Sequence, residues 1–195
     1  MNLRRIDASA IVPLGEYGKQ RGERRKRIAE IKKDRRLEVG PFATFYFENY
    51  ETMLHQVHEM LFIEKGGAEQ LPDELSAYNP LIPQGRELVA TVMFEIDDPV
   101  RRERVLAMLG GVENTAFVRV GGETIRGVPE DDQERSREDG KASSVQFIRF
   151  PFTPAAIAAF KSGTGDVVVG FDHPNYGHMA MMPAAVRKAL AADFD

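Results

Sequence analysis

From about residue 43 to residue 65, apolar side chains recur at alternating steps of three and four: Phe47, Tyr50, Leu54, Val57 and Leu61. Residues three and four apart share one face of a helix, so this spacing predicts a buried stripe on the most regular helix of the chain. Gly66-Gly67 supplies its stop. Ahead of it, residues from about 16 to 36 predict a first helix that is almost wholly polar, with Ile28 and Ile31 as its few apolar contacts. Gly40-Pro41 breaks the two helices apart, and the first 14 residues read as extended up to Pro13.

Past Arg86 the pattern shortens to runs of strand length. Leu88 to Ile96 is rich in β-branched residues, and Asp97-Asp98-Pro99 opens a helix carrying Val105, Leu106 and Leu109. Ala116 to Val120 and Glu123 to Val128 flank Gly121-Gly122, the pattern of a tight hairpin. Residues 129–141 are charged and nearly without apolar side chains, so they read as a loop. A strand over Ser144 to Phe150, a helix opened by Thr153-Pro154, a last strand over Asp166 to Phe171 and a final helix over Pro183 to Ala192 complete the series. The class is α+β: an N-terminal helical region (1–67) packs on a mainly antiparallel sheet region (68–195) as one compact unit. The order β-α-β-β-β-α-β-α suggests a ferredoxin-like split βαβ sheet.

Composition narrows the chemistry. The 195 residues include no Cys, which excludes disulfides, thiolate nucleophiles and iron–sulfur ligation by this chain. No window is apolar enough for a signal peptide or a membrane span, and the cytoplasm is the expected compartment. The net charge of −4 hides an asymmetry, because residues 1–40 hold 12 Lys and Arg against 6 Asp and Glu. Arg24-Arg25-Lys26-Arg27, Lys32-Lys33 and Arg35-Arg36 can meet phosphates, yet the aromatic interleaving of a base-stacking surface is missing. Nucleic-acid binding through this helix is therefore the weakest of the readings. The chain has no dinucleotide fingerprint, no phosphate-binding Gly-Lys-Ser/Thr loop and no nucleophile elbow.

Two clusters carry all four histidines. On the second helix, counting about 100° per residue from Glu48, Glu59 falls near 20°, His55 near 340°, Glu51 near 300° and His58 near 280°. Carboxylates and imidazoles at this spacing suit iron, manganese or zinc, although Glu and His are equally at home on a solvated face. The second cluster, Asp172-His173-Pro174-Asn175-Tyr176-Gly177-His178, follows a strand, where sites are often placed. Packed against the helix, it would complete a mixed site. Left apart, His173 and Tyr176 would orient the turn. Met179, Met181 and Met182 after it are read as packing or interface residues.

The segment from Phe47 to Met60, with Phe147 to Pro154 and Phe171 to Tyr176 far downstream, resembles a bacterial domain-of-unknown-function family over nearly the whole chain. The resemblance places the family pattern on Phe47, Glu48, Asn49, Thr52, Gln56, Glu59 and Met60, and on Asp172, His173, Pro174 and Tyr176. His55, His58 and His178 lie outside it, which shifts weight to Glu48, Glu59 and His173. It also implies a setting beside rubrerythrin-like (ferritin-like di-iron) and iron–sulfur proteins, hence redox or oxidative-stress metabolism. Two functions follow as expectations. The first is an accessory or interaction protein with a redox partner, as a single chain or a homodimer, in which Asn49 and Gln56 tie the helix to neighbouring backbone. The second is a metal-dependent protein, catalytic or not, using Glu48, Glu59 and His173 with Glu51 or His55, and with Asp172 and Tyr176 nearby.

Overall fold

In the computed structural model, which describes residues 3–130 and 141–195, the chain begins with a single 3-10 turn and the long helix α1 (Leu14–Lys33). A hairpin follows that the apolar pattern did not announce, β1 (Arg36–Val39) and β2 (Ala43–Phe47). Helix α2 (Tyr50–Glu64), helix α3 (Leu71–Tyr78), strand β3 (Glu87–Phe94) and helix α4 (Pro99–Ala107) come next. The second half holds β4 (Ala116–Val120), β5 (Glu123–Arg126), β6 (Val128–Pro129), β7 (Val145–Pro151), α5 (Pro154–Lys161), β8 (Val168–Phe171), β9 (Met179–Met181) and α6 (Ala184–Ala191).

The α+β class holds, and the sheet topology corrects the split βαβ expectation. Among the described residues there are two sheets, β1-β2-β3-β7-β6 and β5-β4-β8-β9, and every strand pair is antiparallel. After β3 the chain crosses through α4 into the second sheet, returns to pair β7 with β3, then crosses again through α5. The sheets share one core, to which β2 gives Phe45 and Phe47, β3 Leu88 and Val92, β4 Val118 and β8 Val169. Phe45 lies 5.1 Å from Phe171 between ring centres, one of the contacts that join the two layers. β9 lies against β1 and β5 against β7, so the sheets also meet at their edges.

The expected second helix begins seven residues late. Ala43, Phe45 and Phe47 point to the core while Thr44 and Tyr46 face outward, a period of two that Phe47 happens to share with the helical stripe. Asn49 then starts α2: its side chain accepts the Thr52 N–H at 3.0 Å and the Thr52 hydroxyl accepts the Asn49 N–H at 2.9 Å, a reciprocal cap. α1 likewise ends three residues early, because Leu37 and Val39 alternate into the core as β1. The first 67 residues therefore contribute two strands to the main sheet as well as helices. The hairpin at Gly121-Gly122 is as expected, with both glycines at positive φ (58° and 82°). Most of the charged loop at 129–141 lies outside the described residues.

The outer face of the five-stranded sheet is covered by α2 and the N-terminal segment. Met53, Val57 and Leu61 pack there with Ile6, Leu81, Ile82 and Val89, and α1 lies over α2. Arg35, between α1 and β1, joins these layers. Its buried guanidinium donates to the carbonyls of Phe47 (2.9 Å) and Glu48 (3.0 Å) and forms a buried ion pair with Asp193 near the C-terminus. Removing one member of a buried pair strands the other charge, at a cost of about 3–5 kcal/mol. Arg35→Ala should lower stability in urea titration by that amount, well beyond the effect of truncating the exposed Arg5.

Candidate functional site

Where β2 runs out, the chain makes one further extended step before α2 starts. That step places Glu48 on the outer face of the sheet, its N–H donating to the Val89 carbonyl at 2.8 Å. The residue is only 5% exposed. One carboxylate oxygen accepts the Thr91 hydroxyl at 2.7 Å from β3, and the other is buried without a hydrogen-bond partner. An orphaned buried acceptor costs about 1–3 kcal/mol, more when charged, so its persistence needs a reason.

Glu48 lines a cavity of about 310 Å³ between the sheet and the helical layer. Met53 and Gln56 come from α2, Tyr78 from α3, Tyr46, Thr91, Met93 and Phe147 from the sheet, and Lys32 from the end of α1. The volume falls at the small end of the roughly 300–1,000 Å³ typical of ligand sites, and the mixture of apolar walls with a few polar groups is of the same kind. Tyr46 turns its hydroxyl away to Glu95 at 3.0 Å. Burial pushes the Tyr78 hydroxyl up, and the Gln56 amide beside it works in the opposite direction.

The other candidates disperse. Because α2 starts at Tyr50, Glu48 is not on the helix and shares no edge with Glu51, His55 and Glu59. Glu59 is held by Arg21 through two hydrogen bonds, at 2.9 and 2.8 Å, and by the Tyr17 hydroxyl at 2.6 Å. Glu51 forms an exposed pair with Arg27 at 2.8 Å. His55 lines a separate small groove between α1 and α2 with Arg24, Ile28 and Leu54. His58 is buried, accepts the Val12 N–H at 3.0 Å and contacts the Leu54 carbonyl at 2.8 Å, which assigns its proton to Nδ1. Burial holds both imidazoles below the ordinary histidine range, so both are neutral at pH 7.

The second cluster is a latch at the opposite end of the hairpin. The Tyr176 hydroxyl accepts the N–H groups of Phe42 and Ala43, each at 2.9 Å, and donates to the Val39 carbonyl at 2.8 Å, closing the β1–β2 turn. Gly40 in that turn has φ of 69°, and a Cβ there would lie 2.6 Å from the His178 ring. His173 accepts the Asn175 N–H at 3.2 Å and contacts the Gly110 carbonyl at 3.2 Å, while Asp172 pairs with Arg126 on the surface at 3.0 Å. Of the two readings of this loop, His173 and Tyr176 take the turn-orienting one, each bonded to backbone groups. Among the described residues no group of three or more His, Asp or Glu is arranged to hold a metal ion.

The resembled pattern thus divides its labour. Phe47 fills the core, Asn49 and Thr52 cap α2, and Glu48 and Gln56 line the cavity. The remaining lining residues come from α1, β2, α2, the stretch from α3 to the turn after it, β3 and β7, and only folding brings them together. The chain belongs to the family described as "Protein of unknown function (DUF3501)", which it matches over residues 5–194. It is also similar to a crystal structure of a novel protein of unknown function from Burkholderia pseudomallei K96243. That likeness has a TM-score of 0.90 and 34% identity, and covers 97% of this chain and 99% of the other. No curated protein matches. No helix among the described residues is long and apolar enough to cross a membrane.

Arg21, then Tyr17, holds the Glu59 carboxyl down to about 2, from 4.5 in the unfolded chain. The unfolded state therefore takes up the proton first on acidification, and this contribution is complete above the unfolded value and is lost as pH falls toward 2. Allowing for partial solvent access, the stability difference between the wild type and Glu59→Gln should shrink by about 1–2 kcal/mol between pH 7 and pH 3, measured by urea titration at each pH.

Proposed function

We propose that the chain is an accessory protein, as the resemblance implies for its family, and that it works by holding a small organic molecule in the Glu48 cavity. The observation that carries this reading is the buried carboxylate oxygen without a partner. Thr91 orients one oxygen of the group, the backbone on both sides is fixed by Val89 and Arg35, and the second oxygen is left for something the fold does not provide. An arrangement that serves stability alone would satisfy both oxygens or replace the acid with an apolar group.

The metal reading has less support, since among the described residues Glu48 is the sole carboxylate lining the cavity and no imidazole lines it. A nucleic-acid role through α1 is supported still less: Arg21 and Arg27 are engaged by Glu59 and Glu51, and Arg24 by Gln20.

A thermal-shift screen of a few hundred small polar metabolites against the wild type and Glu48→Gln tests the proposal. The expected result is one or more compounds that raise the wild-type Tm by several degrees, with the shift lost in Glu48→Gln. Ligand at about 100 times its Kd adds about 2.7 kcal/mol, enough to move Tm visibly for a chain of this size. If no compound distinguishes the two proteins and Glu48→Gln is simply less stable, the acid is structural and the reading fails.

A further inference from the structure

Two side chains of opposite charge line the cavity without pairing with each other among the described residues. Glu48 has one oxygen without a partner at the sheet. Lys32, half-buried in the last turn of α1, lines the same cavity and forms no ion pair among the described residues, with Glu48 or with any other acid. Opposite charges that line one cavity attract, and where the geometry permits they are brought into contact. Here they are anchored on different layers: Glu48 on a strand end locked by Arg35, Lys32 on a helix that lies over α2. The space between is lined by Met53, Leu81, Met93, Val145 and Phe147.

We infer that the cavity binds a small apolar zwitterion of the amino-acid type, its ammonium on Glu48, its carboxylate on Lys32 and its side chain against Met53 and Phe147. This rests on the reading of the Glu48 cavity as a ligand site and gives that ligand its chemical class. A cation alone would leave the Lys32 charge facing it inside the same cavity, and an anion alone would face Glu48. A ligand carrying both charges compensates both, and its apolar side chain matches the walls. Thr91 holds the Glu48 carboxylate in place, and Gln56 and Tyr78, in contact with each other, are the further polar groups of the lining.

Isothermal titration calorimetry with leucine, methionine and phenylalanine tests the inference, with phenethylamine and 3-phenylpropionate as the analogues of phenylalanine that each lack one charge. At least one amino acid should bind, and phenylalanine, if it is among the binders, at least tenfold more tightly than either analogue. Glu48→Gln should weaken the amino acid by tenfold or more while leaving 3-phenylpropionate unchanged or improved. Lys32→Met, at a site outside both apolar cores, should weaken the amino acid while leaving phenethylamine unchanged or improved. Circular dichroism melts of both variants establish that they are folded. The inference is overturned if none of the three amino acids binds, or if a singly charged analogue binds as tightly as phenylalanine. If, in that event, the broader screen still yields a compound whose effect requires Glu48, the ligand-site reading stands and only the zwitterionic class is lost. If it yields none, both fall.

Discussion

Arg35 is the interaction on which the rest of the molecule depends. Its guanidinium is buried, so its donors must find acceptors, and it finds them at two places far apart in sequence: the adjacent carbonyls of Phe47 and Glu48, and the carboxylate of Asp193. Arg4 extends the same network, donating to the Asp193 carbonyl at 2.8 Å and pairing with Asp195. The C-terminal tail, the N-terminal segment and the exit of β2 are thereby held in one place. A planar, always-charged group with several fixed donors suits this task in a way Lys would not.

The consequence reaches the cavity. Glu48 would be an expensive residue on any sheet face that was merely packed. It is tolerable because the backbone around it is over-determined, by Arg35 on one side, the Val89 carbonyl on the other and the reciprocal Asn49–Thr52 cap directly after it. Rigid support around an unsatisfied group is the usual signature of a site whose geometry matters more than its local stability. Helix α2 contributes in a second way, since its stripe of Met53, Val57 and Leu61 seats it on the sheet and leaves Gln56 beside the cavity.

The Tyr176 latch is a separate device with a structural outcome. It satisfies two amide N–H groups and one carbonyl in a turn that would otherwise bury them unpaired, and it couples the second sheet to the first hairpin. The polar residues around it, which read in sequence as a possible ligand cluster, are occupied in holding the loop. His173 serves backbone groups at both ring nitrogens, and Asp172 is a surface ion pair. His58 is a similar case on α2, fully engaged between Val12 and Leu54.

The sequence by itself determined the α+β class, the Gly121-Gly122 hairpin, the caps at Asp98 and Thr153 and the buried face of α2, because each rests on neighbours within a few residues. It also singled out Glu48, though on the wrong element, and Gln56 through resemblance. The boundary at residues 43–47 could not be read locally, since Phe47 satisfies a period of two and a period of three to four alike, and only pairing with β3 decides between them. What only tertiary structure decided is the fate of each polar side chain. Glu59, Glu51, His58 and His173 found partners, while Glu48, with the same chemistry, was left with an oxygen to spare. Whether a carboxylate is spent or free depends on which strands and helices are brought beside it, and these come from across the whole chain.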